Sequence, residues 1–117
     1  MVTAKEAFEA KKLASKYGVV GKVAGRYRVA GYQIEILDPS EDAIANFIAY
    51  KRGEKLIVKV YNKTGYVDSS VIEKLSQEAS SRNSKGILVL YGAGPKVKGE
   101  LIEKAKELGI SIKRVRP

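Results

Sequence analysis

The sequence contains no cysteine and no histidine. Without cysteine it has no disulfide framework, no thiolate nucleophile and no thiolate metal site. Without histidine it lacks the most common zinc ligand and the most common general base. These two absences exclude many classes of enzyme. No apolar run is long enough to span a membrane, and the first residues show no signal-peptide pattern, so we expect a cytoplasmic protein without membrane contact.

Positive charge is what the chain has in excess. Its 117 residues carry a net charge of +9, which is distributed unevenly along the chain. Segments 1–28, 51–63 and 85–117 carry +5, +4 and +5, whereas segment 29–50 carries −4. Basic blocks of this kind indicate a polyanionic partner, and nucleic acid is the first candidate. A lysine-rich surface of the kind found in thermophilic proteins is the alternative explanation.

Alternation of apolar and polar residues predicts the strands. The clearest case is KLIVKVY at Lys55–Tyr61, in which Leu56, Val58 and Val60 fall on one side. The apolar run Gly86–Tyr91 predicts an interior strand covered on both faces. Similar reasoning gives the other three predicted strands: Tyr32–Leu37, Ala43–Tyr50 and Ile110–Val115. We expect the first three strands to form an antiparallel meander and Gly86–Tyr91 to run parallel to the third.

Spacing of 3.6 residues predicts the helices. One helix is expected to reach about Tyr17 and a second to cover Lys22–Ala30, with glycines between them. A third helix is expected from Asp68 or Ser69 to about Arg82, and a fourth to begin near Pro95. The sequence therefore predicts a single α/β domain over 1–117. Helices at 1–30 precede a core at 31–115, which is a mixed sheet of about five strands flanked by helices.

Four segments carry a resemblance to a known family. They are NFIA at 46–49, VKVYN at 58–62, KGILVLY at 85–91 and EKAKELGISI at 103–112. Their order and spacing resemble the PD-(D/E)xK nuclease superfamily, particularly the Mrr-like restriction endonucleases and the archaeal Holliday junction resolvases. The resemblance implies a restriction-endonuclease-like fold over about 31–115. It also implies a homodimer, because such nucleases usually act as pairs.

The positions of the family's catalytic motif are occupied by other residues. Asn46 stands where the resemblance implies an aspartate, Lys59 where it implies a glutamate, and Tyr61 where it implies a lysine. The acids of this family hold magnesium, for which an amide is a poorer ligand and a lysine ammonium is repulsive. We therefore expect a degenerate site with no catalytic residue, no metal and no cofactor.

The function predicted from these observations is nucleic-acid binding, to DNA first, by a nuclease-like fold without nuclease chemistry. The predicted contacts are basic, amide and tyrosine side chains around the third strand and in the glycine-rich turn. They are Lys22, Arg26, Lys51, Arg52, Lys59, Tyr61, Asn62, Lys63, Lys96 and Lys98. Among the seven tyrosines, Tyr61 and Tyr66 flank one loop and are the candidates for base stacking.

Two alternatives remain open at this stage. The first is an active magnesium-dependent endonuclease whose acids have moved to Glu35, Asp38 and Asp42. The second is a structural or scaffold protein that binds another protein. A nucleotide-binding loop at Gly92–Glu100 is not supported, because Val97 and Glu100 occupy positions that the two phosphate-binding motifs reserve for glycine and lysine.

Overall fold

The N-terminal region is a helical hairpin that begins at a capping box. We describe a computed structural model covering residues 3–117; Met1 and Val2 of the predicted N-terminal region lie outside the described residues. Helix α1 spans Ala4–Val29. The Thr3 hydroxyl accepts a hydrogen bond from the Glu6 amide, and the Glu6 carboxylate accepts one from the Thr3 amide. Both bonds satisfy amides that a helix start leaves unpaired.

Gly18 divides α1 into two arms that fold back on each other. Its φ of 60° and ψ of −132° interrupt the helix, a conformation that glycine adopts without strain. Gly21 lies so close to the first arm that a Cβ there would be 1.8 Å from the Leu13 carbonyl oxygen. The two predicted helices are therefore present. The prediction that the second begins at Lys22 is wrong, because Gly21 lies inside that arm as a close-packing residue.

The central sheet has five strands: β1 Gln33–Ile36, β2 Phe47–Lys51, β3 Glu54–Tyr61, β5 Lys85–Tyr91 and β7 Ser111–Val115. Their spatial order is β1-β2-β3-β5-β7. The pairs β1–β2 and β2–β3 are antiparallel, whereas β3–β5 and β5–β7 are parallel. The predicted fold class, a mixed sheet of about five strands flanked by helices, is confirmed.

Helices cover both faces of this sheet. The second arm of α1 packs with Phe47, Val58 and Val89 on one face. Helix α2, Ser69–Ser81, packs its buried Ile72 and Leu75 on the other face, where Leu101 of helix α3, Gly99–Glu107, joins the same cluster. Alternation along β3 divides its residues between these two faces, so Ile57, Lys59 and Tyr61 point toward the side of α2.

A second sheet of two short parallel strands was not predicted. Strand β4, Gly65–Tyr66, pairs with strand β6, Pro95–Lys96. The first segment was predicted to belong to a loop and the second to the start of a helix. Pro95 instead lies in β6, and α3 begins four residues later at Gly99, with Lys98 as its cap residue.

The strand predicted to begin at Ala43 is also shorter than expected. Strand β2 begins at Phe47, because the chain before it forms a loop over the end of β3.

Within residues 3–117 no helix is long and apolar enough to cross a membrane.

Candidate nucleic-acid interface

The candidate site lies at the carboxyl end of β3. There the loop at 41–44, the end of β3 and the first turns of α2 enclose a pocket of about 170 Å³. The loops that follow parallel strands open at this edge of a sheet, which is where α/β folds usually bind ligands. Lys59 and Tyr61 line the pocket from β3, and Ser70 and Lys74 line it from α2.

Lys59 is the unusual residue of this pocket. Its side chain is on the side of α2, and the residue is only 4% exposed. Its Nζ donates a hydrogen bond of 2.7 Å to the Glu41 carbonyl oxygen. No carboxylate in the described part of the chain forms an ion pair with it. An ammonium group carries three donors, so this bond leaves two of them without a hydrogen-bond partner among the described residues.

The surroundings of Lys59 oppose its charge. Burial lowers the pKa of the Lys59 amine, and the nearby charge of Lys63 lowers it further. The carboxylates of Asp42, Asp38 and Glu41 oppose that change. Removing a cation from water is costly unless an anion or several hydrogen bonds replace the water. The pocket thus holds a buried charge that protein groups satisfy only in part.

Asn46, which stands where the resemblance implies a metal-binding aspartate, has a structural role. It is completely buried, and its side chain makes three hydrogen bonds. Its amide nitrogen donates to the carbonyl oxygens of Asp38 and Ser40, each at 2.9 Å. Its amide oxygen accepts from the Val60 amide at 2.7 Å. Asn46 therefore fastens the loop to β3, and this loop supplies the carbonyl that Lys59 binds.

Three predicted contacts follow one another at the end of β3. Tyr61 and Asn62 are partly exposed, and Tyr61 lines the pocket. Lys63 is exposed and forms an ion pair of 3.6 Å with Asp42, whose side chain is 93% exposed. Such an exposed pair contributes little to stability. Lys63 is therefore held only weakly and remains able to contact another anion.

The three acids of the endonuclease alternative are not gathered around one point. Glu35 is exposed on the edge strand β1. The Asp38 carboxylate accepts a hydrogen bond of 3.0 Å from the Ser40 amide, and Asp42 pairs with Lys63. Across residues 3–117, no group of three or more acidic side chains is arranged to hold a metal ion.

The other predicted basic contacts are divided among separate regions. Lys51 and Arg52 lie at the turn before β3, about 23 Å of strand away from its carboxyl end. The Lys51 amine donates to the Ala30 carbonyl oxygen and lies over the Tyr32 ring. Lys22 and Arg26 are exposed on α1. The ten predicted contacts therefore do not form one continuous patch.

Lys96 and Lys98 lie near the pocket, on the other side of the first turn of α2. Lys96 is in β6, and the Lys98 amine lies 5.3 Å from the centroid of the Tyr66 ring. Lys74 and Ser70, which line the pocket of Lys59, were not among the predicted contacts. Their spacing of four residues at the start of a predicted helix puts them on the same side of that helix, and this spacing could have indicated that they share one pocket.

The fold is similar to those of two solved archaeal structures. SfsA from Pyrococcus furiosus, solved in complex with Ca²⁺, has a TM-score of 0.54 and 14% identity; the match covers 91% of this chain and 57% of SfsA. A repair endonuclease from Pyrococcus abyssi has a TM-score of 0.58 and 12% identity, with 100% of this chain and 49% of that chain covered. This chain thus spans about half the length of both proteins. No family model matches the sequence, and curated protein sequences give no significant match.

Proposed function

We propose that this protein binds nucleic acid, with DNA as the first candidate, through the pocket at Lys59 and without metal-dependent cleavage. One observation carries the proposal: the Lys59 ammonium is buried, lacks a carboxylate partner among the described residues and lines a pocket. A backbone phosphate would supply a negative charge for the Lys59 ammonium and accept hydrogen bonds from its remaining N–H groups. The fold shared with a repair endonuclease supports a nucleic-acid-related function.

The pocket has the charge and size that suit a phosphate. Lys74 lines it beside Lys59, and Lys63 is close enough to lower the pKa of the Lys59 amine. Ser70 and Val71 of the first turn of α2 also line the pocket, and their amides are already bonded to Asp68. Glu41 and Asp42 line the pocket too, but both residues are exposed and Asp42 is paired with Lys63. The buried cation of Lys59 stands where the resembled nucleases have an acid, which favours retention of a phosphate over retention of a metal.

In this proposal the motif is degenerate, and each replaced position has its own role. Asn46 holds the loop before β2 against β3, and Tyr61 forms a wall of the pocket. Lys59 places a positive charge where the resembled nucleases bind a metal ion. The replacement of Lys59 by a glutamate would restore a potential metal ligand, whereas the lysine binds the anionic substrate directly.

The test is a titration of labelled duplex DNA at several salt concentrations. Replacing Lys59 with methionine keeps the length of the side chain and removes its charge. We expect Lys59→Met with Lys63→Ala to weaken binding and to reduce the slope of log affinity against log salt by about two units. The matched control is Lys106→Met, at an exposed lysine on α3 that pairs weakly with Glu103; it should leave the slope unchanged.

Two results would contradict the proposal. Magnesium-dependent cleavage by purified protein that is lost in Glu35→Ala or Asp42→Ala would support the endonuclease alternative. Undetectable or salt-independent binding would support the scaffold alternative, because phosphate contacts always make binding depend on salt.

We also propose that the protein is a cytoplasmic homodimer. The dimer is proposed by analogy with nucleases that act on two strands, since one phosphate pocket contacts one strand only. Light scattering that gives a monomeric mass at high protein concentration would overturn this part of the proposal and leave the binding pocket intact.

A further inference from the structure

A second pocket of about 470 Å³ lies beside the first one. Asp68 and Ser69 of the α2 start line it, whereas the next residues, Ser70 and Val71, line the pocket of Lys59. The two pockets are therefore separated only by the first turn of α2. Tyr66 and Lys98 form part of the wall of the second pocket.

Tyr66 is an exposed aromatic ring on a rigid support. The residue is 60% exposed, and the Lys98 amine lies 5.3 Å from the ring centroid. Strand β4 holds its backbone by pairing with β6, and the Val67 amide continues this pairing with a bond of 2.9 Å to the Lys96 carbonyl oxygen. The buried side chain of Val67 anchors the next position. Tyr66 therefore presents its ring without a large loss of conformational entropy on binding.

The loop that carries β6 is itself held in place by a side chain. Arg114 of β7 donates to the carbonyl oxygens of Gly92 and Pro95, the latter at 2.7 Å. This guanidinium joins the edge of the main sheet to the small sheet. The small sheet, the Arg114 contacts and the Lys98 cation together fix the position of one exposed ring.

The lining of this pocket suits a base better than a phosphate, because it offers an exposed aromatic ring and contains no buried cation among its described residues. The carboxylates of Asp68 and Glu100 line it together with Lys98 and Lys104, of which Lys104 is paired with Glu73. Carboxylates accept hydrogen bonds from the amino and imino groups at the edge of a nucleobase. A tyrosine ring offers a face for stacking, and the neighbouring cation strengthens binding to an aromatic system.

We propose that the Tyr66 pocket holds an unpaired nucleobase, stacked on the ring, while the adjacent backbone phosphate lies in the pocket of Lys59. This inference rests on the proposed function and names its substrate class, which is single-stranded or locally unpaired nucleic acid. A base inside a duplex is stacked between its neighbours and paired, so it does not offer a free face to Tyr66.

The experiment compares three labelled probes by fluorescence anisotropy. They are a single strand, a blunt duplex of the same sequence, and that duplex with one unpaired 2-aminopurine at its centre. We expect Tyr66→Ala to weaken binding of the single strand and the bulged duplex by about tenfold and to leave the blunt duplex unchanged. Tyr66→Phe keeps the stacking face and should bind all three probes like the native protein.

Tyr50→Ala is the matched control. Tyr50 is 41% exposed, but it lies in β2 near the turn that leads into β3, away from both pockets. It should leave all three affinities unchanged. The 2-aminopurine fluorescence should fall when the native protein binds and should not fall with Tyr66→Ala, since stacking on the ring quenches it.

The outcomes separate this inference from the proposed function. If all three probes bind with the salt dependence described above but Tyr66→Ala behaves like Tyr50→Ala, the base pocket is wrong and the phosphate pocket stands. Equal weakening of all three probes by Tyr66→Ala also overturns the inference, because it indicates a general contact. If no probe binds, both proposals fail.

Discussion

Two regions of the molecule hold a largely buried cation, and they treat it differently. In the helical hairpin, the Arg28 side chain is 12% exposed and forms ion pairs of 3.4 and 3.2 Å with Glu6 and Glu9. It also donates to the Tyr32 carbonyl oxygen. At the carboxyl end of β3, Lys59 is 4% exposed and has a single carbonyl acceptor.

The difference indicates which of the two cations is available to a partner. Arg28 has two acids, so its charge is neutralised within the hairpin and it joins the two arms. Lys59 is surrounded by a loop whose acids lie near enough to affect its pKa but not near enough to pair with it. Burial without neutralisation costs stability, and such a cost is most often found where a protein performs a function.

The largest expected effect comes from removing the side chain that closes the loop over Lys59. We expect Asn46→Ala to lower the free energy of unfolding by about 3 kcal/mol, because three buried hydrogen bonds lose a partner. Urea denaturation measures this change. Asn62→Ala, in the partly exposed stretch after β3, is the control and should cost much less. An equal loss in both variants would mean that Asn46 does not fasten the loop.

A smaller loss of stability is expected when Arg28, like Lys59, is left without a carboxylate partner. The double change Glu6→Gln and Glu9→Gln removes both carboxylates and leaves the guanidinium with neutral acceptors. We expect a lower melting temperature, since a largely buried charge loses its partners. Glu41→Gln is the control, because Lys59 binds the carbonyl oxygen of Glu41 and not its carboxylate. If the double variant melts like Glu41→Gln, the contrast between the two cations is not real.

Alkaline pH should affect the Lys59 region and not the hairpin. The pKa of the folded Lys59 amine is lowered, so the unfolded chain binds more protons between the lowered pKa and the ordinary lysine pKa. Stability from this group therefore rises as the pH increases through that window. We expect Lys59→Met to be as stable as the native protein, or more stable by up to about 1 kcal/mol, at neutral pH. The difference should shrink as the pH rises.

The smallest expected effect is at acid pH and concerns the hairpin alone. A backbone hydrogen bond from Thr3 is the main cause that lowers the pKa of Glu6, and the hydrogen bond from Arg28 lowers that of Glu9. Their stabilisation is complete above the ordinary carboxyl pKa and is lost as the pH falls through the lowered values. The double glutamine variant should therefore lose less stability than the native protein on acidification, as thermal melts at several pH values would show.

Much of the fold was predictable because its signals are local. Alternation in Lys55–Tyr61 predicted β3, the apolar run at Gly86–Tyr91 predicted β5, and the pairing of both was confirmed. Strands β4 and β6 have two residues each, which is too short for any periodicity. Their pairing depends on contacts between segments thirty residues apart, so no local pattern indicated these two strands.

The sequence indicated where the candidate site lies on β3, but not that Lys59 is buried there. Alternation put Lys59 on the same side of β3 as Tyr61, and the pocket is there. Its burial depends on the loop that Asn46 holds, through bonds to the backbone of Asp38 and Ser40. Lysine is normally exposed, and a covering loop leaves no pattern in the strand itself, so an exposed contact was the natural expectation.

The division of α1 at Gly18 gives the molecule an outer layer. The buried residues of this helix, among them Val20, Val23 and Ala24, all belong to the second arm, which covers the sheet. The first arm packs on the second, and of its described residues only Leu13 packs against the core on this face of the sheet. Local opening of residues 4–17 should therefore require less free energy than global unfolding, and their amides should exchange hydrogen earlier than those of β3. The first arm can thus loosen while the second arm, the sheet and both pockets stay folded.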